Sequence, residues 1–347
     1  MNGYFHRVTE QTPTRLWVNN PTAADADAAI RAGAVSCTTN PTFSAVMLRS
    51  ESERPRTLAL IDSVLSRTAD DHEAADLVQQ ALVKGVMEKF LPLHQNRPGI
   101  EGFVSIQGNP HRDENPGHIV GEALRYRELG ENFIAKIPIT RAGLDAIEIL
   151  IGEGIPIIAT EVFAISQMIE TCELYRRVSE RTGCKPPFYV THISGIYDEY
   201  LMKVGRETGS NVPPQLLQQA GCTIARRQYR LMRERNYPGI LLGGGARGTH
   251  HFTELVGGEV HVTLNWSTIK EILEADCAVV SRIEHQAEEA VIEALTAELS
   301  DFRKAFVDDG LAVDEFAGFG PLQYFRGMFI KGWDTLLATI KERRTKG

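Results

Sequence analysis

The sequence predicts an α/β protein built as a (β/α)8 TIM barrel, with a helical insertion after the second strand and extra C-terminal helices. Short apolar runs alternate with helical patterns, the alternation yields eight strand candidates, and most of the runs end in polar or glycine-rich turns. At 347 residues the chain is long enough for one barrel. No repeat or linker marks a boundary, so we expect a single domain, with the barrel over about residues 14–275 and the C-terminal helices of about 279–347 packed on it.

The eight predicted strands are rich in branched apolar and aromatic residues, as buried parallel strands are. They cover residues 16–18, 34–36, 102–107, 133–137, 155–160, 188–191, 239–243 and 260–263. Pro138 is expected to end the fourth strand, because proline cannot donate a hydrogen bond to a central ladder. Thr140 then caps a helix that has Leu144 and Ile147 on its apolar face.

Helical patterns fill the remaining segments. The largest interruption of the alternation runs from about residue 43 to residue 93, where periodic apolar positions predict a helical insertion. A second long helical region is predicted over about 197–235. The tail is helical in pattern over 281–306 and again over 322–346, and it offers a surface on which a homodimer can form.

Composition argues against several classes of protein. With 43% hydrophobic and 24% charged residues the chain is typical of a globular protein. A formal charge of -8 gives no support for binding to nucleic acid or to an anionic membrane. No apolar run approaches the roughly 18 residues of a membrane helix, and the N-terminus lacks a signal-peptide core, so we expect a cytoplasmic protein. Its five cysteines show no close spacing and indicate neither a disulfide framework nor a zinc site.

The candidate site comes from the ends of the strands. In a barrel the carboxyl ends of all strands converge on one face, and such folds place their chemistry there. The polar residues at these positions are Asn19, Asn40, Gln107, Lys136, Thr160, Thr191 and Arg247. Each of them alone can be a cap or a turn residue, but together they predict a polar site.

Lys136 is the most informative of these residues, since it stands in an otherwise apolar run. Burial disfavours the ammonium form and leaves more of the free amine that attacks a carbonyl carbon. The alternative is a structural lysine that reaches from the strand end to solvent or to a carboxylate. This stretch alone leaves both interpretations open.

Motifs for bound cofactors are missing. The chain contains no GxGxxG and no P-loop, so no nucleotide cofactor is indicated. Its ten histidines include His250 and His251 but no pair at metal-ligand spacing with acidic partners, so no metal is expected. The glycine-rich segment 243–248 follows the seventh strand, where barrels often bind phosphate. An anion held by Arg247 and a flexible turn are the two interpretations of that segment.

Motifs at several strand ends carry a family resemblance. They are Thr38-Thr39-Asn40-Pro41-Thr42, Ala135-Lys136-Ile137-Pro138 with Thr140 and Gly143-Leu144, Thr160-Glu161-Val162-Phe163, and more faintly Phe188-Tyr189-Val190-Thr191 and Gly245-Ala246-Arg247. In this order they resemble the transaldolase family of Schiff-base barrel enzymes, over roughly residues 16–273.

The resemblance implies a Schiff-base mechanism without a cofactor. Lys136 matches the lysine that condenses with the C2 ketone of a ketose, after which the C3–C4 bond breaks and the retained dihydroxyacetone unit attacks an acceptor aldehyde. The catalytic set that we expect is Lys136, Thr160, Gln107, Asn19 and His192. The residues expected to bind substrate are Asn40, Thr38, Thr191, Arg247 and Gly245. The implied partner is a sugar, a sugar phosphate or another anionic ketose.

The sequence also departs from the family. Asn19 stands where the family has a proton-transferring aspartate, and Gln107 stands where it has a glutamate. Amides bind hydroxyl groups but do not exchange protons near neutral pH. Ile158 replaces an asparagine, and Ile196 replaces one of two phosphate-binding arginines, which favours a substrate with a different tail.

Three residues can supply the missing acid–base function: Glu161, His192 and Asp198. Strand alternation points Glu161 away from the side of Thr160, so His192 is the preferred candidate. A backbone hydrogen bond is the alternative role for His192.

Two classes of function remain. One is an enzyme of the Schiff-base class, either a transaldolase or an aldolase that cleaves or forms a ketose without transfer. The other is a carbohydrate-binding barrel without catalysis, which the two amide replacements favour. A retained buried lysine favours the enzyme, because an unneeded buried charge costs stability.

Overall fold

Eight parallel strands close into a barrel and follow one another in chain order around it. In the computed structural model, which describes residues 3–346, the strands are β1 (Arg15–Asn19), β2 (Ala34–Thr38), β3 (Val104–Ile106), β4 (Phe133–Pro138), β5 (Ile157–Val162), β6 (Phe188–Ile193), β7 (Ile240–Gly244) and β8 (Val260–Leu264). Strand β8 pairs with β1 and closes the ring. The predicted (β/α)8 barrel is therefore confirmed.

All strands except β3 extend one or two residues beyond their predicted ends. Pro138 is the last residue of β4. The last pair between β4 and β3 joins Ala135 to Ile106, so the missing N–H of Pro138 removes no ladder bond on that side. Strands β5 and β6 each run two residues further than predicted. The prediction therefore left Glu161 and His192 outside strands to which they belong.

Helices connect the strands and cover the barrel. They are α1 (Tyr4–Gln11), α2 (Ala23–Arg31), α3 (Phe43–Arg49), α4 (Arg54–Leu65), α5 (Asp71–Asn96), α6 (Pro116–Tyr126), α7 (Arg141–Gly152), α8 (Ile165–Thr182), α9 (Ser194–Thr208), α10 (Pro214–Leu217), α11 (Ala220–Glu234), α12 (His250–Thr253), α13 (Trp266–Ala275), α14 (Glu289–Glu298), α15 (Ser300–Phe306) and α16 (Gly320–Lys346). Two short 3-10 helices cover Arg127–Leu129 and Val313–Glu315.

The helical insertion after β2 is present as α3, α4 and α5. The long helical region predicted over 197–235 is three helices, α9 to α11, separated by turns that contain Gly209 and Pro213. In the tail, residues 281–288 are not helical, and α14 begins only at Glu289.

Helix α16 lies across the barrel and packs against α3, α4, α5, α9 and β5. Its Gly332 permits a close approach, since a Cβ atom there would lie 2.8 Å from Cα of Thr42. The tail is thereby brought over the strand ends. The homodimer and the division into a barrel with packed helices remain predictions.

A second buried cluster, separate from the main core, is formed by residues of the strands and their starts: Trp17, Val35, Phe103, Ile134, Ile158, Tyr189 and Leu242. Among residues 3–346, no helix has the length and apolar character needed to span a bilayer. All five cysteines are free.

Candidate active site

A cavity of 570 Å³ opens at the carboxyl ends of the strands. The polar and charged side chains that line it include Asn19, Asp25, Thr38, Asn40, Lys136, Thr191, Arg247, Thr263, Asn265 and Lys270. Phe325, Met328 and Phe329 of α16 form an apolar wall on one side. The cavity thus joins most of the residues that the strand ends predicted.

Lys136 lies at the base of this cavity, where β4 delivers its side chain to the interior. The residue is only 7% exposed. Its Nζ donates a hydrogen bond to Oε1 of Gln107 at 2.8 Å and lies 5.4 Å from the ring centre of Phe329. Burial lowers the pKa of Lys136 to about 8, and the charge of Glu161 opposes that shift. A larger fraction of free amine at neutral pH follows.

Gln107 connects Lys136 to a buried carboxyl group. Its Nε2 donates a hydrogen bond to Oε1 of Glu161 at 2.8 Å. Glu161 is fully buried, and its other oxygen, Oε2, has no hydrogen-bond partner among the described residues. Burial raises the pKa of Glu161 to about 7, Asp113 adds to the rise, and Lys136 opposes it.

The position of Glu161 depends on an irregularity in β5. The register between β5 and β6 shifts between Ala159 and Val162. Within this interval Glu161 has φ of 60°, in the left-handed region that a residue with a side chain rarely adopts. Simple alternation therefore does not apply at Glu161. Its side chain does not line the cavity, but it is hydrogen-bonded to Gln107, which in turn contacts Lys136.

A second acid, the partly buried Asp113, interacts with this group and is neutralised by Arg326 of α16. Arg326 donates to Asp113 from Nη2 at 2.7 Å and from Nε at 3.1 Å. Its Nη2 also donates to the carbonyl oxygen of Pro110 at 3.2 Å. Burial raises the pKa of Asp113, and the hydrogen bonds from Arg326 oppose the rise. The ion pair anchors α16 to the loop after β3.

Asn19 belongs to a polar network on the opposite wall of the cavity. Its Oδ1 accepts from Oγ1 of Thr38 at 2.9 Å, and its Nδ2 donates to Oδ1 of Asn265 at 2.9 Å. Oγ1 of Thr38 also lies 2.7 Å from Oγ1 of Thr263. These groups offer donors and acceptors to sugar hydroxyls, but none of them exchanges protons readily near neutral pH.

Asn40 is held by the turn that follows β2. Its Oδ1 accepts from the backbone N–H of Thr42 at 2.9 Å and from Nδ2 of Asn20 at 3.1 Å. Asn40 thus stabilises the turn, which is the structural role that such a residue can have by itself. Its side chain also lines the cavity. Thr160 and Thr191 are buried, and neither hydroxyl has a partner among the described residues.

The loop after β7 brings Arg247 to the rim. Gly245, at φ of 63°, permits the turn, since a Cβ atom there would lie 2.5 Å from Cγ2 of Ile193. Nε of Arg247 donates to Oε2 of Glu199 at 2.6 Å. The guanidinium has five N–H groups, so this bond leaves capacity for an anion. Ile196 is buried and does not line the cavity.

An Asp–His pair holds the backbone of this loop. The N–H of Arg247 donates to Nδ1 of His251 at 3.3 Å, and Nε2 of His251 lies 3.0 Å from Oδ2 of Asp198. Oδ1 of Asp198 accepts from the N–H of Gly221 at 2.7 Å. A neutral His251 that accepts at Nδ1 carries its proton on Nε2 and donates it to Asp198.

Asp198 and His251, together with His250, form the one candidate cation cluster in the part of the chain that the structure describes. The ligand atoms of Asp198, His250 and His251 lie within 4.8 Å of one another. The hydrogen bonding of His251 places a proton, not a lone pair, on the nitrogen that faces Asp198. The cluster is accounted for as a hydrogen-bonded support of the loop.

His192 does not reach the cavity. It is fully buried on the outer side of β6, and its ring centre lies 6.3 Å from that of Tyr197. Neither ring nitrogen has a hydrogen-bond partner among the described residues. Burial lowers the pKa of His192 to about 3. Its neighbours Thr191 and Ile193 line the cavity, so alternation along β6 turns His192 outward.

Several lining residues were missed in the sequence. Thr263 and Asn265 stand at the end of the eighth strand, and the strand-end rule would have selected them. Lys270 follows on α13. Phe329 and Arg326 carry no comparable signal, because only the packing of α16 brings them to the site.

Comparisons with known proteins identify the family. The family model described as Transaldolase/Fructose-6-phosphate aldolase matches residues 21–315. A protein named Transaldolase from Trichodesmium erythraeum is 30% identical over 142 residues, which are 36% of this chain and 37% of that protein. One of the same name from Mycobacterium tuberculosis (strain H37Rv) is 26% identical over 212 residues, or 58% of this chain and 55% of that protein. The chain therefore aligns with only about a third to a half of the length of these relatives.

Proposed function

The chain belongs to the transaldolase/fructose-6-phosphate aldolase family, and from this premise we propose that it is a Schiff-base enzyme that transfers a dihydroxyacetone unit from a ketose to an aldose. The observation that carries the proposal is Lys136. A buried amine whose pKa is lowered to about 8, at the base of an open cavity, has an enlarged fraction of free amine and the access that attack on a carbonyl requires.

The chemistry follows from the free amine. Nζ of Lys136 attacks C2 of the ketose, the carbinolamine loses water, and an iminium forms. The C4 hydroxyl passes its proton to solvent, the C3–C4 bond breaks, its electron pair moves to the iminium to give an enamine, and an aldehyde leaves. The enamine carbon then attacks the carbonyl carbon of an acceptor aldehyde, whose oxygen takes a proton from solvent, and hydrolysis returns the amine.

The cavity walls suit a polyhydroxylated substrate. Asn19, Thr38 and Asn40 present amide and hydroxyl groups on one side. Thr191 adds a hydroxyl without a partner among the described residues. Arg247 and Lys270 place positive charge at the same cavity and favour an anionic tail. The buried Ile196 leaves the tail without a second arginine at that position, which supports an altered substrate.

Transfer is favoured over simple cleavage by α16. Phe325 and Phe329 cover part of the cavity, and their ring centres lie 4.3 Å apart. An apolar cover reduces the access of water to the enamine, so the enamine persists until an acceptor aldehyde arrives.

The test is reductive trapping. The protein is incubated with dihydroxyacetone, fructose or fructose 6-phosphate, reduced with borohydride and mapped by peptide mass spectrometry. We expect a covalent adduct on the peptide that contains Lys136, and none in Lys136→Arg. Lys270 lines the same cavity and serves as the internal control. An adduct on Lys270 alone, or none with any ketose, would contradict the proposal.

A further inference from the structure

The iminium that Lys136 forms carries a positive charge in a buried site, and that charge needs a partner if the nitrogen is to keep its proton. On the opposite wall Asn19 and Thr38 are neutral, and the carboxyl group of Asp25 is engaged at the start of α2, where its Oδ2 accepts from the N–H of Thr22 at 3.2 Å. Asp113 is already paired with Arg326. Glu161 is the carboxyl group that the structure connects to Lys136, through Gln107.

We propose that Glu161 is the proton donor and counter-ion of the Schiff-base cycle on Lys136, held in place by Gln107. The inference rests on the proposed function. It concerns one step, the exchange of the carbinolamine hydroxyl for the iminium, and its reversal.

The step balances when the carboxyl group starts protonated and the amine starts neutral. The amine lone pair forms a bond to C2, and the amine proton passes to the oxygen of the former ketone. Glu161 then gives its proton to that hydroxyl, the C2–O bond breaks, and water leaves. The products are an iminium and a carboxylate, so the site has no net charge before or after the step. Hydrolysis runs the same transfers backward.

Three geometric features support this role. First, Gln107 accepts from Nζ of Lys136 and donates to Oε1 of Glu161, each at 2.8 Å, and this fixes the two groups relative to one another. Second, Oε2 of Glu161 is buried without a partner among the described residues, which is costly unless the group is protonated or acts on a ligand.

Third, the backbone of β5 is strained where it carries this carboxyl. Glu161 has φ of 60° inside the register shift of β5. A residue with a side chain in the left-handed region is strained and persists where the surrounding structure holds it, as at active sites.

The charged groups that face Glu161 come from three elements. Lys136 of β4 and Arg326 of α16 lower its pKa, and Asp113 from the loop after β3 raises it together with burial, which is the largest cause. Glu161 and Lys136 are thereby held with pKa values of about 7 and about 8. The net neutral pair is the main form between these values.

The test is the rate at which the iminium forms in a single turnover, measured from pH 5.5 to pH 9.5 by quenching with borohydride at successive times. The wild-type rate is expected to be highest between about pH 7 and 8, because the reacting pair needs one proton. We expect Glu161→Gln to slow the step by about 10²–10⁴-fold and to lose the fall at alkaline pH. The rise of the rate on the acid side of the profile remains in this variant and moves to lower pH, since the carboxylate no longer raises the pKa of Lys136.

Two further variants separate this role from a structural one. Glu122→Gln makes the same change in another buried acid, whose Oε1 accepts from the N–H of Asn109 and lies 2.9 Å from Nε2 of His118. It is expected to keep the wild-type rate and pH profile. The double variant Gln107→Glu with Glu161→Gln moves the carboxyl group to the neighbouring side chain and is expected to recover at least tenfold of the loss.

A Glu161→Gln rate within threefold of wild type with an unchanged profile would overturn the inference and leave the proposed function standing. A folded double variant that recovers none of the lost rate would also overturn the inference. If Glu161→Gln alone fails to fold, the rate of the double variant is the measurement that decides. By contrast, a wild-type protein that forms no adduct at all would refute the proposed function itself.

Discussion

At the scale of single residues, Lys136 and His192 are both buried basic groups, but only Lys136 has access to the cavity. Both are buried and both have lowered pKa values. Lys136 opens into the cavity and has a hydrogen-bond acceptor, whereas His192 faces the packed exterior of β6 without one among the described residues. Access to the cavity separates a candidate nucleophile from a core residue.

Replacement of Lys136 tests the nucleophile. Lys136→Arg keeps a cation on β4, but a guanidinium does not form an iminium with a ketone. We expect turnover with any ketose to fall below detection while the fold is retained, as judged by circular dichroism. Residual activity of more than about a thousandth of wild type would contradict this role.

Replacement of His192 tests whether its ring, buried outside the cavity, takes part in catalysis. Because the ring does not line the cavity, we expect His192→Leu to keep kcat within about threefold of wild type. The measurement is steady-state transfer activity at pH 7.5. A loss of a hundredfold or more in a folded variant would restore His192 as the acid–base candidate.

Residue identity and strand position predicted much of the site. Lys136, Asn19, Thr38 and Arg247 meet in one cavity because parallel strands bring their carboxyl ends together. The contact between Glu161 and Gln107 was not predicted, because alternation assumes a regular strand, and the left-handed residue inside the register shift has no signature in the pattern of apolar residues.

At the scale of elements, the β7–α12 loop and α16 shape the two ends of the cavity. The loop places Arg247 at the rim through the Asp198–His251 pair. Helix α16 brings Phe325 and Phe329 over the cavity, and Arg326 ties it to the loop after β3. The helical character of the tail was predictable from periodicity, but its destination was not, because contacts between distant segments are not local.

The position of Arg247 in the loop after β7 predicts a preference for anionic substrates. We expect Arg247→Ala to raise KM for fructose 6-phosphate by roughly 10–100-fold and to leave KM for fructose nearly unchanged, because a charge-assisted hydrogen bond contributes about 1.5–3 kcal/mol. Arg181→Ala removes an arginine that is paired with Glu148 on the surface and serves as the control. An equal change for both sugars would place the anion elsewhere.

The apolar wall that α16 places over the cavity predicts that the enamine is protected from water. We expect Phe329→Ala to admit water and to increase release of free dihydroxyacetone relative to transfer product several-fold. The two products are quantified in one assay with a ketose donor and an aldose acceptor. Phe306→Ala, in a stacked pair with Phe302 on α15, is the matched control. An unchanged product ratio in Phe329→Ala would show that α16 does not exclude water.

At the scale of the whole molecule, two buried histidines make the stability depend on pH in the acid range. Burial lowers the pKa values of His192 and His261 to about 3. Below about pH 6.5 the unfolded chain takes up protons at both positions while the folded protein does not. The free energy of unfolding therefore falls as the pH decreases from about 6.5 toward 3.

Removal of one histidine changes this slope. We expect His192→Leu to reduce the loss of stability by about 1.4 kcal/mol per pH unit between pH 6 and pH 4. Urea unfolding of both proteins at several pH values in this range gives the two slopes. Parallel slopes would show that His192 takes up a proton in the folded state.

A crystal structure of the borohydride-reduced complex with fructose 6-phosphate tests the central claim most directly. We predict continuous electron density from Nζ of Lys136 to C2 of the sugar, with the phosphate beside Arg247. A sugar bound in the cavity without a covalent link to Lys136, or a link to Lys270, would contradict the assignment of Lys136 as the Schiff-base nucleophile.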